Sequence, residues 1–109
     1  MAKVLVVDDE EGVRSFVADA LRGVGHEVAE AEDGQAAAER VAREAFPIVI
    51  TDVRMPRMDG MALLKLLRAE HPDTEVILLT AHGSVETAVT AMKLGAFDYL
   101  QKPIGSPAD

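Results

Sequence analysis

The chain has 109 residues, a hydrophobic fraction of 49% and a net charge of −8. That is one domain with a sizeable core, and an acidic one, which argues against this domain gripping nucleic-acid phosphates directly. Cysteine is absent, which excludes disulfides, thiol catalysis and thiolate metal sites. The apolar runs are too short to cross a bilayer and the first residues are too few for a secretory signal, so a cytoplasmic protein without membrane contact is expected.

Lys3-Val4-Leu5-Val6-Val7 reads as a strand covered on both faces. Asp8, Asp9, Glu10 and Glu11 follow, suited to the N-cap and first turn of a helix. Val13, Phe16, Val17, Ala20, Leu21 and Val24 then repeat with helical spacing, and Gly23 and Gly25 supply the stop. Residues 26–31 mix polar and small apolar side chains, as in a short edge strand. Asp33-Gly34 makes a turn and cap. Ala37, Ala38, Val41, Ala42 and Ala45 form a small-residued second helix, and Pro47 opens the apolar strand Ile48-Val49-Ile50-Thr51. That strand stops at Asp52 and a Pro- and Gly-containing loop.

Asp59 caps a third helix bearing Met61, Leu63, Leu64, Leu66 and Leu67, closed before Pro72. Glu75 to Leu79 is a buried strand ending at Thr80. Ser84 is a good N-cap for a fourth helix carrying Val85, Ala88, Val89 and Met92; Thr87 stands where a full capping box needs Glu or Gln. Gly95 ends it, and residues 96–100 form the last strand, running into Gln101-Lys102-Pro103. Strands alternating with helices in this way predict a doubly wound, five-stranded parallel sheet with right-handed crossovers and four helices. In the order 2-1-3-4-5, the switch point lies between the first and third strands.

Asp8-Asp9, Asp52, Thr80 and Lys102 all follow strand ends, so a parallel sheet gathers them on one edge. Adjacent strands are ~4.8 Å apart. Carboxylates that close repel one another and need cations, which Lys102 and a hard divalent ion such as Mg²⁺ can provide. One carboxylate is then available as a nucleophile, with Thr80 and Lys102 able to hold phosphoryl oxygens. Alone, Asp8 and Asp9 would read as helix caps, and Thr80 and Tyr99 as structural; the clustering of acids with a strand-end lysine favours a site. His26, His71 and His82 lie on separate segments, which disfavours a histidine metal centre. His82 and Arg54, each two residues beyond a site residue, are candidates for bordering the pocket.

Four segments together carry a resemblance: Val-Val-Asp-Asp-Glu at 6–10, Asp-Val-Arg-Met-Pro-Arg-Met-Asp-Gly at 52–60, Thr-Ala at 80–81 and Gly-Ala-Phe-Asp-Tyr-Leu-Gln-Lys-Pro at 95–103. In this order the chain resembles a flavodoxin-like response-regulator receiver domain of two-component signalling, of the nitrogen-regulation type. The resemblance implies that Asp52 accepts a phosphoryl group from a sensor histidine kinase and passes the change to a transcription or other output partner. It implies Asp8, Asp9, Asp52 and the Arg54 backbone carbonyl as Mg²⁺ ligands, and Lys102, with a cis bond to Pro103, as the phosphoryl partner. Thr80 and Tyr99 are implied as the switch, Ala81 as a small residue at the approach to Asp52, and Pro56 and Gly60 as shaping the loop after it. Slow self-dephosphorylation goes with these roles. A phosphatase of the haloacid-dehalogenase type also uses Asp, Mg²⁺, Thr and Lys. Its nucleophile, however, follows the first strand with a second Asp two residues on, where this chain has Glu10.

Residues 1–104 read as the receiver domain and 105–109 as a short polar tail. The family continues into a fifth helix, which Gly105, Ser106 and Pro107 do not support. The sheet face shared with the first helix is therefore expected to be partly uncovered, with a homodimer through the uncovered sheet or helix face as the compensation.

Overall fold

The computed structural model describes residues 2–81 and 83–102. The elements are β1 (Lys3–Val7), α1 (Glu11–Gly23), β2 (Glu27–Ala31), α2 (Gly34–Arg43), β3 (Ile48–Thr51), α3 (Gly60–Glu70), β4 (Glu75–Thr80), α4 (Val85–Lys93) and β5 (Asp98–Gln101). All strand pairs are parallel, in the order β2-β1-β3-β4-β5. Right-handed crossovers put α1 on one face, alone among the described helices, because only the β1-to-β2 step runs toward that edge. The helices α2, α3 and α4 share the other face.

The core lies under that second face. Val49, Val76 and Leu78 project from the strands and meet Leu63, Leu64 and Leu67 of α3, all fully buried. Ala37 and Val41 of α2, Phe46 and Ala91 of α4 complete it. Full burial of each Leu contributes ~1.5–3 kcal/mol. The central strand β1 is buried on both faces from Val4 to Val7, as its continuous apolar run predicts.

The α1 face is thinner. The alternate residues Ile48, Ile50, Ile77 and Leu79 are only half-buried, and Leu100, in register with Leu79, is exposed. Only Ala18 of α1 is buried, and Phe16 is 64% exposed. The expected apolar stripe of α1 is thus only partly covered: Val13, Val17 and Leu21 are half-buried, whereas Phe16, Ala20 and Val24 are exposed. This matches the expectation of an uncovered face among the described residues. The segment 103–109, with the Lys102–Pro103 bond, the expected lack of a fifth helix and the domain boundary assigned there, lies outside them, as does His82.

Side-chain caps form where expected at three helices. Asp33 accepts from Ala36 N, Asp59 from Ala62 N and Ser84 from Thr87 N. At α1 the expectation fails in part. Glu11 does stand in the first turn, but the N-cap residue Glu10 makes no side-chain capping bond. Asp8 Oδ1 instead accepts from Glu10 N at 2.9 Å, closing a local turn that holds the carboxylate at the sheet edge. The last strand begins two residues later than the alternation suggests. Ala96 N still bonds to Ala91 O, and with Gly95 at φ +101 this closes α4 before the chain extends. Among the described residues no helix is long and apolar enough to cross a membrane.

Candidate functional site

The carboxyl edge of the sheet is built by ladder bonds that continue one residue past the strands. Asp8 N donates to Ala31 O (3.1 Å), Asp52 N to Val7 O (2.9 Å) and Lys102 N to Thr80 O (2.8 Å). The main chain of Asp8, Asp52 and Lys102 is therefore as firmly held as the sheet itself. The side chains converge. Asp8, Asp9 and Asp52 each offer a carboxylate oxygen within 4.8 Å of the others, two of the residues buried and Asp9 exposed. Lys102 Nζ lies 2.7 Å from Asp8 Oδ2 and 3.4 Å from Asp52 Oδ2. A cleft of about 320 Å³ opens over them, lined by Asp9, Glu10, Asp52, Arg54, Thr80, Ala81 and Lys102. A larger cleft of about 490 Å³ lies elsewhere, around Phe46, Pro47 and His71. It holds no comparable cluster of ligating groups among the described residues.

Two unit negative charges 4.8 Å apart repel by roughly 3–4 kcal/mol at an effective dielectric of 20. The electrostatics reflect this crowding. Burial pushes the Asp52 carboxyl above its ordinary value and Asp8 adds to the shift, while Lys102 and the Val53 amide oppose it. Burial works against the Lys102 ammonium, but the Asp8 hydrogen bond and the two carboxylate charges outweigh it. The Lys102 pKa therefore lies above its usual value and the group stays charged. The three acids and one ammonium leave net negative charge, and the oxygen donor set could hold a metal ion.

One oxygen of each buried acid is already committed: Asp52 Oδ1 accepts from Val53 N at 2.8 Å, and Asp8 Oδ1 from Glu10 N. The Oδ2 atoms of both face Lys102. Thr80 is buried at the end of β4. Tyr99 is half-buried, and its ring edge and hydroxyl lie 3.0 Å from where a side chain on Gly83 would begin, with the Thr80 methyl 3.3 Å from the same point. Asp9, Asp52, Arg54, Thr80 and Lys102 thus share one cleft rim, Asp8 is buried beside them against Lys102, and Tyr99 sits behind the rim against the β4–α4 loop.

Two contributors escaped the sequence reading. Arg14 Nη1 donates to the Asp8 carbonyl at 2.9 Å while its Nε donates to Glu30 at 3.1 Å, bracing the Asp8 turn from α1. Arg57 pairs with Asp33 across 24 residues of chain. Only the strand order makes either pairing visible.

A family model described as the response regulator receiver domain matches residues 4–108. The chain is 48% identical over 107 residues to the response regulator protein FleR of Pseudomonas aeruginosa, covering 98% of this chain and 23% of that one. It is 43% identical over 100 residues to the DNA-binding transcriptional regulator NtrC of Escherichia coli, covering 92% and 21%. The chain thus spans under a quarter of the length of these curated relatives. Among solved structures, the beryllofluoride-activated NtrC4 receiver domain dimer superposes with a TM-score of 0.88 at 39% identity, covering 96% of this chain and 87% of that one. The sheet order, the acids and lysine gathered at its carboxyl edge, and these matches across nearly the whole chain agree: the protein belongs to the response regulator receiver domain family of two-component signalling, in its nitrogen-regulation branch.

Proposed function

We propose that Asp52 is the phosphoryl acceptor of a signalling switch, with Mg²⁺ as its cofactor and a sensor histidine kinase as its donor. The observation that carries this reading is the approach of Lys102 Nζ to both Asp8 Oδ2 and Asp52 Oδ2 beside Asp9. Asp52 Oδ1 is held by the Val53 amide, which leaves Oδ2 to attack phosphorus. The new O–P bond forms as the P–N bond of a phosphohistidine breaks, and the imidazole nitrogen takes the electron pair. A raised pKa marks the Asp52 carboxylate as more basic than an exposed one, which suits it to attack. Lys102 meets the charge of the arriving phosphoryl group, and the Thr80 hydroxyl donates to one of its oxygens.

The hard oxygen donors of Asp8, Asp9 and Asp52, with Arg54 lining the cleft and its backbone carbonyl as a further donor, suit Mg²⁺. When bound, Mg²⁺ offsets the charge of the carboxylates and of the phosphoryl oxygens. Water reaching the same cleft through the exposed Asp9 side hydrolyses the acyl phosphate slowly, so the domain acts as a timed switch rather than a turnover enzyme.

The phosphoryl group adds about −1.5 to −2 charge. Thr80 turning toward it vacates space into which the Tyr99 ring, which already lies against Gly83 and near the Thr80 methyl, turns inward, and α4 carries the change outward. Val85, Val89 and Met92 of α4 are exposed apolar side chains available to an output partner or a second copy. The solved NtrC4 receiver is described as a dimer in its activated state, which supports homodimerisation here. The acidic balance supports a domain that leaves nucleic-acid contact to other parts or partners.

The test is incubation with acetyl phosphate, with and without Mg²⁺, followed by intact and peptide mass measurement. The expected product is one alkali-labile phosphoryl group, Mg²⁺-dependent, on the peptide bearing Asp52. Label on a hydroxyl or imidazole, or label indifferent to Mg²⁺, overturns the reading. In the same assay Lys102→Met should slow labelling about a hundredfold, the usual loss for one oxyanion partner. Its Mg²⁺ requirement should not rise, because the ammonium removed shares the Asp8 oxygen.

A further inference from the structure

The loop from Asp52 to Asp59 is tied to a part of the molecule that takes no part in the chemistry. Arg57 Nε donates to Asp33 Oδ2 at 2.7 Å, and its Nη2 contacts the same oxygen. One residue along, Gly34 N donates to Met58 O at 3.1 Å. The approach there is so close that a side chain on Gly34 would begin 2.1 Å from Met58 O. The same loop lines the phosphorylation cleft with Arg54, three residues before Arg57.

Arg57 itself sits at φ 68, the only non-glycine with a positive φ among the described residues. A Gly or Asn would adopt that backbone with less strain. An exposed arginine held there needs a reason, and its partner supplies one: the Asp33 side chain is 3% exposed. The Ala36 amide and then the Arg57 guanidinium hold its carboxyl below the usual range, against the effect of burial. Asp33 divides its oxygens. Oδ1 caps α2 through Ala36 N at 2.8 Å, and Oδ2 is left for Arg57.

We propose that Asp33 and Arg57 are positioning residues for the phosphorylation site: their pair clips the β3–α3 loop to the start of α2, so that Arg54 keeps its place in the cleft lining, with its carbonyl available as a ligand, and Mg²⁺ affinity is set from outside the site. This rests on the function proposed above, and neither residue touches the metal or the phosphoryl group.

Asn caps helices as well as Asp does, so Asp33→Asn keeps the Ala36 bond and loses the charge pair. Arg57→Gly removes the guanidinium and relaxes the backbone. The two single variants, the double variant and wild type are titrated with Mg²⁺ alone by amide NMR, then labelled with acetyl phosphate at limiting and saturating Mg²⁺. Each single variant should weaken Mg²⁺ binding about tenfold, the loss typical of groups that orient metal ligands. The double variant should match the singles, and labelling should return to near the wild-type rate once Mg²⁺ saturates. Single variants that bind Mg²⁺ like wild type, changing only thermal stability, overturn the proposal, as does a double variant whose loss is the product of the two. Wild type that binds Mg²⁺ but takes no label removes the function reading alone, since the affinity comparison still decides the clip.

Discussion

Asp52→Asn should lose acetyl-phosphate labelling by at least about a thousandfold, equivalent to ~4 kcal/mol in the barrier, while folding more stably than wild type in metal-free buffer. The first effect follows from replacing the proposed attacking carboxylate with an amide that is not a nucleophile. The second follows from the crowding at the sheet edge. Asp52 is desolvated and lies beside Asp8, so its native pKa is raised and the folded state binds its proton more tightly than the unfolded chain. Stability therefore falls as pH rises from the ordinary value of 3.8 through the raised native pKa, then levels. Asn carries no such penalty, and Lys102 keeps its 2.7 Å contact with Asp8. The stability difference between variant and wild type should widen across that window and then stay constant. Urea unfolding from pH 4 to pH 8 in chelator reads it directly. A variant less stable than wild type at neutral pH, or label transferred to Asp8 or Asp9, would contradict the assignment of the acceptor.

Gly60→Ala should cost about 3 kcal/mol, the upper part of the usual range for overpacking. Gly60 opens α3, where intrinsic helix propensity alone would favour Ala by ~1 kcal/mol. Sterics reverse the sign. A side chain there would begin 2.1 Å from the Asp52 carbonyl oxygen and 3.0 Å from the Asp52 carbonyl carbon and Val53 Cα. All three are backbone atoms, so no rotamer change relieves the contact. Gly60 N also donates to Val53 O at 2.8 Å, which ties the start of α3 to the residue after Asp52. The chain must move where Asp52 is anchored, so labelling should slow along with the loss of stability. Unfolding by urea and the labelling rate, measured together, check both. Wild-type stability in this variant would mean that α3 and Asp52 are not coupled as described.

The strand order was legible because the β-branched runs at 3–7, 48–51 and 75–79 are too apolar for anything but a covered parallel sheet, and the mixed run ending at Ala31 marks an edge. The clustering followed from the order, since parallel strands gather their carboxyl ends and four of the five ends led into a chemically active polar residue. Other features depended on tertiary context. The acids after β1 suited the N-cap and first turn of α1, yet the N-cap residue Glu10 makes no side-chain cap bond and Asp8 Oδ1 closes a turn on Glu10 N. Residues 96 and 97 looked like strand, but Ala96 N is taken by the end of α4 and pairing with β4 begins only at Asp98. Phe16 fell on the apolar stripe of α1, whose far side no described element covers. Arg57 was unreadable, because its partner lies 24 residues away and is joined to it only through the positions of β1, β2 and β3.

The commitment of Asp8 Oδ1 and Asp52 Oδ1 to main-chain amides bears on which cation the edge prefers. A carboxylate with one oxygen held by an amide is less free to turn both oxygens onto an ion. Calcium gains much of its affinity from carboxylates that bind through both oxygens and from a large, adaptable shell. Here each buried acid has one oxygen on an amide and the other facing Lys102, so a bound ion would meet them through single oxygens, the arrangement that suits a small ion keeping its own water. On the proposed function, two backbone hydrogen bonds would then bias the edge toward such an ion.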